Sequence, residues 1–300
     1  MPLKVLISGT SGLVGSAIVS ALREGGHDVT RLVRSTVTAP DQISWNPSDP
    51  LLPESVSGFD AVIHLAGESI ATRWTEARKR RIVESRVPAT QNLATALAKG
   101  QQRPRVFICA SAIGYYGDRG EEILREDSPS GEGFAAEVCC QWEAAAQAAA
   151  GAGIRAVQIR TGIVLSAAGG ALAKMLPPFR MGVGGNVGNG RQWMSWIDLR
   201  DEVGAIQHLL TADSISGPVN LVSPNPVRNA EFTRTLASVL HRPAILPMPA
   251  FAARLAFGQM ADELLLAGQR VEPSKLVSSG YEFQRPDLRT SLECILTRKH

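Results

Sequence analysis

The sequence predicts an α/β fold, a doubly wound parallel sheet with a smaller C-terminal lobe. Three observations predict it. Apolar runs of strand length alternate with helical patterns, the runs are apolar nearly throughout, and a glycine triplet follows the first run at once. A strand that is apolar along its whole length is buried on both faces, as in a parallel sheet covered by helices. Alternation of strand and helix through short connections gives the doubly wound arrangement.

KVLIS (4–8) is the first strand, followed by a helix from Leu13 to Glu24. Gly25-Gly26 ends that helix, because glycine supplies a C-cap at no steric cost. DVTRLV (28–33), DAVIHLAG (60–67), RVFICAS (105–111) and IRAVQIR (154–160) are the next strands. Helical patterns at Glu76–Ser85, Ala89–Lys99 and Phe134–Ala149 lie among them. Residues 177–191, PPFRMGVGGNVGNGR, are rich in Gly and Pro and read as a long loop, mobile over a pocket. WMSWIDLRDEVGAIQHLL and GPVNLVS then return a helix and a strand to the main sheet. The expected organisation is a core of residues 1–165 rejoined by about 192–225, with 166–191 and 226–300 forming the smaller lobe.

Hydrophobic residues are 44% and charged residues 20% of the 300, the balance of an ordinary globular chain. The net charge is only +3, and the densest basic cluster, Arg78-Lys79-Arg80-Arg81, falls in a helical pattern and reads as a solvated face. No nucleic-acid partner is expected. Cys109, Cys139, Cys140 and Cys294 show neither CxxC nor zinc spacing, so no metal is expected. Reduced thiols and an N-terminus that enters a strand at once fit a cytoplasmic protein. No uncharged apolar stretch reaches the roughly eighteen residues of a membrane span, and no membrane partner is expected.

SGTSGLVG (8–15) places Gly9, Gly12 and Gly15 between the first strand and the first helix. Glycine there permits a tight turn and lets backbone N–H groups approach a pyrophosphate, while the helix N-terminus adds partial positive charge. A dinucleotide is therefore the expected cofactor. An acid about twenty positions on would bind the adenosine ribose of NAD. Here Arg34 stands nineteen positions after Gly15, with Arg31 nearby and no acid between Val29 and Pro40. Arginine suits a phosphate through its planar donors, so NADP(H) is expected. The glycine run 182–190 lacks the Lys-Ser/Thr ending of a phosphate loop and opens no helix.

The glycine spacing, AVIHLAG, ASAIGYYGD and SWIDLRDEVGAI together resemble the extended short-chain dehydrogenases/reductases. LAGESIATRW, ESRV, EVCCQWE, RTGIVLS, MLPPFRMGVGGNVGNGRQWMSWI and SPNPVRNAEF narrow the resemblance to an atypical epimerase-family subgroup, nucleoside-diphosphate-sugar epimerases of unassigned substrate. The resemblance covers nearly the full length and implies a Rossmann core. It implies that Gly9, Gly12, Leu13, Val14 and Gly15 line the pyrophosphate, and that Val33 and Arg34 meet the adenosine end. Leu65, Ala66, Gly67 and Glu68 would run beside the cofactor, Arg86 would reach toward it, and Val164 would lie near the nicotinamide.

In that superfamily a Ser or Thr acts with a Tyr-x-x-x-Lys pair. Ser111 matches the first position, but the pair falls on Phe134 and Val138, which can neither give nor take a proton. Phe134, Val138 and Trp142 recur at i, i+4 and i+8, an apolar stripe that packing alone explains. Tyr115 and Tyr116 are the candidate substitutes, with no Lys placed beside them. Glu137 and Glu143 fall off the stripe, and Cys139 reads as a packing residue. The sequence reading is thus an NADP(H)-binding, epimerase-like oxidoreductase of a small polar substrate without the usual relay. The alternative is a catalytically silent NADP(H)-binding sensor.

Overall fold

The structure is a computed structural model that describes residues 1–297; residues 298–300, the end of the expected C-terminal lobe, lie outside the described residues. Among the described residues no helix is long and apolar enough to cross a membrane. The first half runs β1 (Lys4–Ser8), α1 (Leu13–Glu24), β2 (Asp28–Val33), β3 (Gln42–Ser44), β4 (Ala61–His64), α2 (Glu76–Glu84), α3 (Val87–Lys99) and β5 (Val106–Ala112). It continues through β6 (Ile123–Leu124), α4 (Phe134–Ala145), α5 (Gln147–Gly151), β7 (Arg155–Thr161) and β8 (Ile163–Leu165). Next come α6 (Gly170–Arg180), β9 (Trp193–Met194), β10 (Trp196–Asp198), α7 (Leu199–Thr211) and β11 (Gly217–Leu221). The last elements are β12 (Val227–Arg228), α8 (Asn229–Leu240), α9 (Ala250–Phe257), β13 (Arg270–Val271), α10 (Ser274–Ser278) and α11 (Leu288–Thr297).

Seven strands form one sheet in the order β11-β7-β5-β4-β1-β2-β3. Every pairing in it is parallel. The sheet is doubly wound, as the apolar strands predict. Side chains of alternate parity fill two cores. Val5, Ile7, Ile63 and Ile108 pack against Ile18 and Leu22 of α1 and Ile206 and Leu209 of α7. Leu6, Val62 and Phe107 pack against Leu93 and Leu97 of α3 and Trp142 of α4. Strand order reverses between β1 and β4, and ligands of open α/β sheets bind in the crevice beyond the carboxyl ends at such a point.

A smaller core joins Leu172, Leu176 and Phe179 of α6 to Phe232 and Leu236 of α8 and Leu288 and Leu292 of α11. It corrects the reading of 177–191 as one loop. Pro177 and Pro178 lie inside α6, whose last turn runs to Arg180. Proline disfavours a helix interior, yet burying Leu176 and Phe179 holds this turn, and Met181 N still donates to the Pro177 carbonyl. The glycine run after it is clasped, not free. Leu246 N donates to the Gly184 carbonyl, Met248 N to Asn186, and Gly188 N to Met248. A β-carbon at Gly185 would stand 2.1 Å from the Leu246 carbonyl oxygen, so glycine here serves close backbone approach.

A buried polar chain runs beneath the crevice. Ser8 Oγ meets His64 Nδ1 at 2.6 Å, His64 Nε2 meets Thr90 Oγ1 at 3.0 Å, and Trp142 Nε1 donates to Thr90 Oγ1 at 2.8 Å. It ties β1, β4, α3 and α4 together where a purely apolar core would leave these groups unpaired. Burial pushes the His64 imidazole down to about 3, so it stays neutral.

Glu202 in the first turn of α7 is buried; its Oε1 accepts from Thr161 Oγ1 at 2.9 Å, while Oε2 has no partner. Burial pushes this carboxyl from 4.5 up to about 8. The folded state therefore holds a proton that the unfolded chain releases. The stability from this group is complete below pH 4.5 and is lost as pH rises through about 8. Glu202→Gln should remove that decline. Urea midpoints at about pH 5 and about pH 9 should show the variant gaining on wild type, on the order of a few kcal/mol, at the higher pH. Parallel pH profiles for the two proteins would contradict a buried neutral carboxyl.

Candidate functional site

The glycine loop sits at the carboxyl end of β1, against the carboxyl end of β4. Gly9 has φ +75°, and a β-carbon there would lie 2.6 Å from the Leu65 carbonyl carbon and 2.8 Å from Ala66 N. A β-carbon on Gly15 would lie 2.1 Å from the Gly9 carbonyl oxygen. Gly12 N donates to the Gly9 carbonyl at 3.0 Å, and the first bond of α1 runs from Ser16 N to the Gly12 carbonyl. The amides of Leu13, Val14 and Gly15 precede it, and Gly12 offers no side-chain cap. Such amides at a helix start receive an anion. The Leu13 side chain lies against Gly169 and Gly170, and Gly170 abuts the Val164 carbonyl, so Leu13 and Val164 share one wall.

At the end of β2, Arg31 clamps Asp41 through two bonds of 2.8 and 3.0 Å, and Arg23 pairs with the same carboxylate. Arg31 and Arg23 hold the Asp41 carboxyl below the usual carboxylate range. Arg31 is thus committed to a protein acid. Arg34 is exposed, and its side chain makes no ion pair or hydrogen bond among the described residues. Val33 is half-buried beside it.

Arg86 enters α3 at the carboxyl end of β4. It is buried, lies over the Trp142 ring at 4.9 Å and donates only to uncharged oxygens: the carbonyls of Glu68 and Ile82 and the Ser85 hydroxyl. A β-carbon at Gly67 would stand 3.1 Å from its guanidinium carbon, so glycine leaves room for the cation. Glu68 instead turns to Arg78 of α2, 2.7 Å away. Burial lowers the Arg86 pKa from its ordinary value.

Beyond β5 a second polar group is assembled from β5, β7, β11, α4 and the short 3-10 turn Ile113–Tyr116. Ser111, Arg160 and Asn220 lie in register on β5, β7 and β11. Ser111 Oγ donates to Glu143 Oε1 at 2.7 Å, and Arg160 grips both Glu143 oxygens at 2.8 and 2.9 Å. Arg160 Nη1 also donates to the Tyr116 hydroxyl at 2.9 Å, which in turn donates to Asn220 Oδ1 at 2.7 Å. Tyr116 is fully buried, and burial raises its phenol to about 12 despite the adjacent cation. The Arg160 guanidinium lies 3.5 Å from the centre of the Tyr115 ring, whose hydroxyl makes no hydrogen bond among the described residues. The structure brings Ser111, Tyr115 and Tyr116 together around Arg160. That arginine and its partner Glu143 carry no local signal, because they meet only through the packing of α4 on the sheet.

The epimerase model "NAD dependent epimerase/dehydratase family" matches residues 5–221, and "Domain of unknown function (DUF1731)" matches 248–295. The chain belongs to the NAD dependent epimerase/dehydratase family. It is 43% identical over 296 residues to epimerase family protein Mb2239 of Mycobacterium bovis, covering 98% of each chain. It superposes on the crystal structure of human epimerase family protein SDR39U1 with NADPH at a TM-score of 0.89 and 34% identity, covering 98% of this chain and 99% of that one. A structure described as a nucleoside-diphosphate sugar epimerase from Corynebacterium glutamicum gives a TM-score of 0.82 at 38% identity, over 99% of this chain and 58% of that one. The fold is that of an extended short-chain dehydrogenase/reductase.

Within this family member, Phe134 and Val138 belong to packing. They join Trp74, Ile82 and Met260 in an apolar cluster, with the Trp74 and Phe134 rings edge to face at 5.0 Å. The N-terminus of α4 is capped from the far end of the chain. Glu263 accepts from Phe134 N at 3.2 Å and Ala135 N at 2.8 Å. A carboxylate placed on two free amides stabilises a helix start, and it couples α4 to the C-terminal lobe.

Arg160 is buried and Glu143 nearly so, so breaking their pair strands a charge. Glu143→Ala should cost about 3–5 kcal/mol in chemical unfolding. The pair Glu143→Gln with Arg160→Met, which removes both charges, should cost less than the single change. A double variant at least as unstable as Glu143→Ala would contradict the stranded-charge account.

Proposed function

We propose that the protein binds NADP(H) and acts as an epimerase-like oxidoreductase on a small polar substrate. The observation that carries the reading is the adenosine end of the crevice. Asp41 is neutralised by Arg31 and Arg23, while Arg34 stands exposed at the end of β2. A 2′-phosphate would meet a cation there in place of a ribose-binding acid. The NADPH in the human relative's structure supports the same cofactor. In this reading Gly9, Gly12, Leu13, Val14 and Gly15 hold the pyrophosphate, and Val33 and Arg34 the adenosine end. Leu65, Ala66, Gly67 and Glu68 flank the cofactor, Arg86 reaches it across Gly67, and Val164 borders the nicotinamide.

A bound nicotinamide supplies hydride chemistry; the chain must then move the accompanying proton. Tyr115 is the phenol beside Ser111 whose hydroxyl is uncommitted among the described residues, and it is assigned that proton. Ser111 and Tyr116 position it through Glu143 and Arg160. One observation favours the alternative of a silent NADP(H) sensor. The Ser111 and Tyr116 hydroxyls are already bound within the protein, and Phe134 and Val138 are packed.

Calorimetry should show NADPH binding about ten- to a hundredfold more tightly than NADH, with Arg34→Ala removing most of the difference. Equal affinities in the wild type would overturn the NADP(H) assignment. Nicotinamide absorbance and stereochemical product analysis with nucleotide sugars then separate the two functions. Tyr115→Phe that binds NADPH but loses turnover supports the enzyme, and tight NADPH binding without turnover supports the sensor.

A further inference from the structure

Among the described residues, seven of the twelve exposed large apolar side chains, Met248 included, fall between residues 181 and 255. Met181 and Val183 follow α6, Ile245 and Leu246 lie in the segment after α8, and Phe251 and Leu255 stand one turn apart on α9. Phe251, Leu255 and Ile245 are 72–75% exposed, and exposed apolar side chains gathered in a patch mark an interaction site. The segments 180–186 and 242–248 are clasped together, and α9 starts two residues beyond Met248, whose N donates to the Asn186 carbonyl. Leu246 N bonds the Gly184 carbonyl, a β-carbon on Gly182 would meet Pro243 at 3.3 Å, and Arg242 Nε donates to the Arg180 carbonyl.

The two stretches that build this face, residues 170–197 and 232–261, hold no Asp or Glu, and Asp262, which pairs with Arg254, lies just beyond them. The stretches carry Lys174, Arg180, Arg191, Arg234, Arg242 and Arg254, of which only Arg254 has an acidic partner, Asp262, among the described residues. A second copy of this face would set cations against cations, which opposes a symmetric self-contact. An apolar surface rimmed by unpaired cations fits a partner that is apolar within and anionic at its boundary.

We propose that this face docks on an anionic lipid surface, with Phe251, Leu255, Ile245 and Leu246 entering the interface and Arg180 and Arg242 meeting lipid phosphates. The expectation of no membrane partner rested on the lack of a spanning segment, which a peripheral contact does not need. Docking takes two signals, apolar insertion and basic attraction, because either alone holds a protein only marginally.

The full-length protein should be sedimented with vesicles of phosphatidylcholine alone and of phosphatidylcholine mixed with phosphatidylglycerol, at low and high salt. Binding to the mixed vesicles is expected, and it should weaken with salt. Phe251→Ser with Leu255→Ser should reduce it by about tenfold or more. Arg180→Gln with Arg242→Gln should do the same while leaving the apolar residues intact. NADPH affinity should be unchanged in both variants, which shows that they fold. Absence of vesicle binding, or equal binding to both vesicle types, overturns the proposal. So does a concentration-dependent dimer lost in the Phe251→Ser, Leu255→Ser variant, which gives the face to a second copy.

Discussion

The close approach of Gly15 to Gly9 is the constraint on which the crevice depends. With 2.1 Å between a β-carbon at 15 and the carbonyl oxygen of Gly9, no other residue fits without moving α1 off β1. Gly9 in turn presses on the Leu65–Ala66 peptide at the end of β4. Three backbone segments thereby converge where strand order reverses, and the start of α1 opens onto the crevice. Ser8 and His64 continue this junction into the core, where Thr90 and Trp142 bring in α3 and α4. The cradle is thus held by backbone packing from above and by a satisfied polar chain from below.

The other side of the crevice departs from the superfamily in kind. Where a phenol and an ammonium would stand, α4 presents Phe134 and Val138 to Trp74 and Met260, and its N-terminus to Glu263. The charge in this region is instead the Glu143–Arg160 pair, buried between α4 and β7. Such a pair offsets its desolvation only when its remaining groups are bonded. Here Ser111, Tyr116 and the Glu126 carbonyl complete it. It fixes the Ser111 and Tyr116 hydroxyls and leaves Tyr115 at its edge. In the proposed enzyme the proton falls to that phenol, which lies over the Arg160 guanidinium.

The parallel core was legible because its strands are apolar on both faces and its first helix is bounded by glycines; α1 and β2 span the residues that pattern names. β3 was missed, since Gln42–Ser44 is three residues with no apolar run. The last turn of α6 was read as loop because Pro177-Pro178 breaks local propensity, and only the burial of Leu176 and Phe179 restores the helix. The positions of Ser111 at the end of β5 and of Arg34 just past β2 were legible from the strand pattern. The commitment of Arg31 to Asp41 was not, because it needs β2 and β3 side by side. Arg160 with Glu143, and Glu263 on α4 from 129 positions away, are products of tertiary packing with no local pattern.

The central claim is that the amides at the start of α1 receive the pyrophosphate of NADP(H). Deuterium exchange of backbone amides over residues 8–16, with and without saturating NADPH, tests it most directly. The account predicts that exchange slows at Leu13, Val14 and Gly15 when NADPH binds, because these donors acquire an acceptor. NADPH that binds by calorimetry yet leaves exchange in this segment unchanged would contradict it.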